Sequence, residues 1–128
     1  MSKIIESEVK KFTGKVHLYD PMTMPMVLAL EEALIESGEF FDETVTKGKE
    51  GDVTVRTLKT GIMWGKADAN YLKPLLLCVE KWELENFPKD VTADTFPFTP
   101  RVAIRTLIDF VMAEIMQIYI GEIEIPNE

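Results

Sequence analysis

The chain predicts an α+β fold, a small sheet or β-hairpin packed with about three helices. Three observations predict it: alternation of apolar and polar residues from Phe12 to Tyr19, a helical apolar stripe between Met24 and Ser37, and a long apolar segment from Pro100 to Ile120. With 46% hydrophobic residues and a mean hydropathy near zero, the chain can build one core and leave apolar surface over. Residues 1–128 are therefore read as a single domain.

Phe12, Gly14, Val16 and Leu18 alternate with Thr13, Lys15, His17 and Tyr19, the pattern of a half-buried strand. Asp20-Pro21 ends it. Thr23 then caps a helix from Met24 to Ser37 whose first turn tolerates Pro25, because the amide that proline lacks has no partner there. Its core stripe is Met26, Val27, Leu30, Ala33 and Leu34, with Glu31, Glu32 and Glu36 outward and Gly38 as the stop.

Residues 39–65 are less regular, a loop or hairpin insertion punctuated by Gly48, Gly51, Gly61 and Gly65. A β-hairpin over Thr44–Thr57 accounts for the alternation in Val53-Thr54-Val55-Arg56, while a helical reading of Val53 to Trp64 stays open. A further helix is expected from Asn70 to Leu84, with Leu72, Leu75, Leu76, Val79 and Trp82 as its core stripe. A loop rich in proline and aromatics, Asn86 to Phe98, leads to Thr99-Pro100, a cap followed by proline at the first helical position. The last helix follows, and residues 122–128 form a short C-terminal tail.

In that last helix Ile104, Leu107, Ile108, Val111, Ile115 and Ile118 make an ordinary core face. Phe110, Met112, Met116, Tyr119 and Ile120 widen the apolar surface well beyond it, leaving Thr106, Asp109, Glu114 and Gln117 a narrow polar strip. A helix this apolar is enclosed by its own domain or packed on a second protein. With few layers available to enclose it, subunit contact is the expectation, and with it a homo-oligomer.

The net charge of −8 opposes binding to nucleic acid or anionic membranes, which needs clustered Lys and Arg. No stretch is long enough to span a bilayer, and acids interrupt the N-terminal apolar residues too early for a secretory signal. The lone Cys78, inside a leucine run, reads as core rather than nucleophile, and the lone His17 as a surface residue. Glu31, Glu32, Glu36, Glu39, Asp42 and Glu43 lack the spacing of a calcium loop and read as a solvated face. Met22, Met24 and Met26 have the alternate spacing that suits Cu(I), but too few accompanying ligands. The better reading makes Met26 core and Met22 and Met24 a flexible apolar lip able to grip varied helices. No catalytic, cofactor or metal residues are assigned. Met22, Met24, Phe110, Met112, Met116, Tyr119 and Ile120 are the candidate protein-interface residues.

Three segments carry a family resemblance: Phe12-Thr13-Gly14-Lys15-Val16 through Glu31-Glu32-Ala33-Leu34, Val79-Glu80-Lys81-Trp82-Glu83-Leu84, and Asp94-Thr95-Phe96-Pro97-Phe98-Thr99-Pro100-Arg101. In these the chain resembles the small tail assembly chaperones of long-tailed bacteriophages and prophages. The resemblance implies a non-enzymatic protein of the host bacterial cytoplasm that binds the tape measure protein before the tail tube polymerises and is absent from the mature virion. It also implies a frameshift-extended form that recruits tail tube protein, and a short form ending soon after its last helix fits that arrangement. The alternatives are a structural subunit of a tail or head-tail connector, or a small enzyme with an acidic site near Glu31 and Asp42.

Overall fold

In the computed structural model, which describes residues 2–59 and 64–123, the chain runs β1 (Ser2–Ser7), β2 (Gly14–Tyr19), α1 (Met24–Phe40), β3 (Phe41–Gly48), β4 (Gly51–Leu58), α2 (Trp64–Ala69), α3 (Leu72–Cys78), β5 (Val79–Leu84) and α4 (Arg101–Ile123). This is an α+β fold. One antiparallel sheet has the order β1-β2-β5, and β3 and β4 form a separate hairpin.

β2 takes the central place because its alternation gives it a wholly apolar inner face. Val16 and Leu18 have no exposed surface, and Val16 lies between Ile5 of β1 and Trp82 of β5, both buried. The outer face carries the row Ile4, His17, Lys81. β1 was not among the expected elements: only Ile5 and Ser7 of its six residues are buried, so its half-buried face is too short to leave a pattern. At Gly14, φ is +140° and a β-carbon would stand 2.1 Å from the carbonyl oxygen of Glu83, so β2 and β5 approach here as only glycine permits.

The helix expected over Asn70–Leu84 is corrected by the structure. That range divides into a turn at Asn70-Tyr71, the short α3 and then a strand. β5 keeps Val79, Trp82 and Leu84 on the core side, although a strand should repeat every two residues. The register explains it: His17 pairs with Lys81 but Leu18 pairs with Val79, so Glu80 is an extra residue in a β-bulge. The bulge turns a two-residue repeat into a three-residue step, which imitates helical spacing. In α3 it is Pro74, Leu75 and Cys78 that are buried, while Leu72 and Leu76, expected in the core, are only half-buried.

Helices cover the inner face. α1 runs through Gly38 instead of stopping there, and it buries Met26, Ala29, Leu30, Ala33 and Ser37. The face is rotated from the expected one: Val27 is half-buried and Leu34 exposed, because small Ala29, Ala33 and Ser37 let α1 lie close to α3. Asn70 supports this approach by donating its side-chain amide to the Ala33 carbonyl at 2.9 Å.

α4 buries Ile104, Leu107, Ile108, Val111, Ile115 and Ile118 as the spacing predicts. Pro100 precedes the helix, its carbonyl accepting from the Ile104 amide, rather than occupying the first helical position. The segment between β5 and α4 is held by aromatic contacts. Phe87 packs against Trp82 (centroids 4.9 Å apart) and edge-on to Phe12 (5.8 Å), and Phe96 meets both Trp82 and Phe87 edge-on.

The hairpin expected over Thr44–Thr57 is present and somewhat longer, turning at Lys49-Glu50 between paired Gly48 and Gly51. The helical alternative for Val53 to Trp64 is thereby excluded as far as Leu58; residues 60–63 lie outside the described residues, as do residues 124–128 of the expected tail.

Candidate protein-binding surface

The structure scatters the seven residues expected at an interface. Met112 is 8% exposed and belongs to the core, so it offers no surface to a partner. Met22, Phe110, Met116 and Tyr119 are half-buried against the same core, while Met24 and Ile120 are exposed. The apolar surplus of α4 is thus largely taken up within the chain. Met112 is enclosed, and Phe110, Met116 and Tyr119 pack against the core; on the core face itself Phe96, Pro97 and Phe98 lie over Ile104 and Ile108, leaving between them a cavity of about 80 Å³. That segment supplies covering that a count of helices and strands omits.

An ion-paired corner holds this covering in place. Asp68 of α2 accepts from the Arg101 guanidinium and lies 3.8 Å from that of Arg105, both on α4. The Arg101 guanidinium also sits 4.8 Å above the Phe98 ring. These contacts tie α2, α4 and the aromatic segment together.

Exposed apolar surface is concentrated instead on α1. Met24, Leu28 and Ile35 are 68%, 51% and 77% exposed. Steps of four and seven residues place them along one line of the helix, opposite the Met26, Leu30 and Ala33 stripe. α1 therefore has two apolar faces, one turned to the core and one to solvent, with Glu32 and Glu36 exposed on one flank. Sequence reasoning picked out Met24 here but missed Leu28 and Ile35. The signal available was a second stripe at helical spacing across from the first.

Leu34 and Ile35 of α1 line a shallow hollow with Glu31 and Tyr119. The Tyr119 hydroxyl donates to Glu31 Oε2 at 2.7 Å. That bond, then partial desolvation and the nearby carboxylate charge, raise the phenol above its ordinary value, so it remains a neutral donor. Glu31 is thereby engaged in joining α1 to α4; the side chain of Asp42, its companion in the acidic-site alternative, lies outside the described residues.

Beside the exposed Ile4, the outer face of the sheet carries a charged cluster. His17 Nε2 lies 2.6 Å from Glu83 Oε1, and Lys81 Nζ lies 3.3 Å from the same oxygen. Hydrogen bonds from Lys81 and then His17 hold the Glu83 carboxyl below its ordinary value. His17 is a half-buried member of this surface cluster, and Cys78 is buried in the core.

Among the described residues no group of three or more His, Cys, Asp or Glu side chains is placed to hold a metal ion, and no helix is long and apolar enough to cross a membrane. No family model, curated protein or solved structure matches this chain.

Proposed function

We propose that this protein is a bacteriophage tail assembly chaperone that binds the tape measure protein and keeps it soluble until the tail tube polymerises around it. The observation that carries the reading is the solvent-facing ridge Met24, Leu28 and Ile35, which the described residues leave uncovered. A long helical client presents apolar residues every three to four positions, and a ridge with the same period can pack along it. Met24 adapts to an irregular client surface, and the net charge of −8 keeps a protein with exposed apolar residues from precipitating on itself. The three sequence segments that resemble such chaperones support the same reading. In it the protein acts without chemistry or cofactor, in the host bacterial cytoplasm, and is absent from the mature virion. A frameshift-extended form would carry tail tube protein to the complex.

Co-expression tests the proposal. The tape measure protein encoded beside this gene should be soluble only when this protein is present, and Leu28→Lys with Ile35→Lys should abolish that rescue while the variant stays folded. Equal tape measure solubility without this protein would overturn the reading. Firm retention in purified virions would do the same and would favour a structural subunit of the tail or head-tail connector.

A further inference from the structure

Among its described side chains the β3–β4 hairpin shows no buried face. Every described side chain from Thr44 to Val55 is exposed, including Val53 at 59% and Val55 at 48%. A two-stranded antiparallel ribbon is marginal in water by itself, and stability needs at least a third strand or an apolar face that is covered. Within the described residues β3 and β4 pair only with each other, so each has a free edge.

We propose that β4 pairs antiparallel with β4 of a second copy of this chain, about a two-fold axis at Thr54. The sequence of the strand is complementary to itself in that register. Asp52 meets Arg56 of the second copy, Val53 meets Val55, and Thr54 meets Thr54, with the same pairs repeated by symmetry. In the backbone register of the hairpin Lys47 already stands opposite Asp52 and Glu43 opposite Arg56. The dimer therefore extends each pair into a row across four strands, Lys47, Asp52, Arg56 and Glu43, whose charges alternate in sign. On the other face four valines come together at the centre, flanked by Thr44 and Thr46 of each copy. Sliding the strands by two residues sets Asp52 against Thr54 and loses the alternation, so charge selects one register.

This interface lies apart from the α1 ridge and stands whether or not the chaperone reading holds. In sedimentation equilibrium the full chain should rise toward twice its 14.6 kDa mass with concentration. Asp52→Arg alone and Arg56→Asp alone each set like charges across the two-fold and should remain at one chain mass. An equimolar mixture of the two variants restores both opposite-sign pairs and should recover the dimer mass. Thr54→Cys should oxidise to a reducible dimer, since directly paired strand residues stand at disulfide distance, whereas Val45→Cys on the other strand should not. A wild-type chain that stays monomeric at every concentration, single variants that dimerise like wild type, or equal cross-linking at Val45 and Thr54 would each overturn the proposal.

Discussion

The three-stranded sheet and the β3–β4 hairpin use the same antiparallel ladder and come to opposite ends. In the sheet, one face of β2 is closed by Ile5, Trp82 and the helices, so its side chains contribute as much as its backbone. In the hairpin, Val53 and Val55 recur at alternate positions in the same way, yet they and every other described side chain from Thr44 to Val55 are exposed. Alternation reports that a segment can be a strand. Burial decides whether that strand carries stability, because the free energy comes from apolar area removed from water and the ladder alone adds little net.

The largest effects should fall in the sheet. Trp82→Ala removes a 5%-exposed indole that touches Phe87 and Phe96, and should cost about 3–5 kcal/mol, a large part of a small domain's stability. Val53→Ala with Val55→Ala should cost less than about 1 kcal/mol in dilute monomer, as urea melts read through Trp82 fluorescence would show. Comparable losses from the two changes would erase the distinction between the regions.

Next comes Gly14→Ala, which forces a β-carbon against the Glu83 carbonyl and needs a positive φ that alanine resists. A cost on the order of 1–3 kcal/mol is expected. Gly38→Ala should do the reverse. It lies inside α1 with nothing within 4 Å of the added carbon, so the change should stabilise by about 0.5–1 kcal/mol through helix propensity. Thermal melts of the two variants, shifting in opposite directions, check both.

The smallest effect is a pH dependence on the outer face of the sheet. The Glu83 carboxyl is held below its ordinary value of 4.5 by Lys81 and His17. Its contribution is therefore present above pH 4.5 and lost as pH falls through the lower folded value. Tyr119, raised above 10.0 by Glu31, has the opposite sign: its contribution is present below pH 10 and lost as pH climbs through the higher folded value. Melting temperatures of Glu83→Gln and Tyr119→Phe should each flatten one end of the profile only.

Particular residues show what was legible. The inner face of β2, the core stripe of α4 and the turn of the β3–β4 hairpin stand in the residue order, because each element meets its surroundings on one regular face or on none. The Val79 to Leu84 strand was hidden by a bulge at Glu80, which exists only through pairing with His17 and Leu18 of β2. α1 was placed correctly with Met26, Leu30 and Ala33 inside, but its buried face is rotated toward Ala29 and Ser37 and away from Leu34, since the size of Ala29, Ala33 and Ser37 matters only once α3 packs there. The surplus of α4, expected to face a partner, is largely taken up against the chain's own core, while the exposed ridge proved to lie on α1.

The sequence by itself determined which segments are amphipathic, where most of them end, and that apolar residues exceed what one small core consumes. It could do so because periodicity and chain-ending residues act within a few positions of one another. Only the tertiary structure decided that Val79–Leu84 is a strand, how far the buried face of α1 is rotated, and that Met112 is core while Leu28 and Ile35 meet water. Those outcomes depend on contacts between residues far apart in the chain, and burial, the largest favourable term in folding, is assigned by those contacts and by no local pattern.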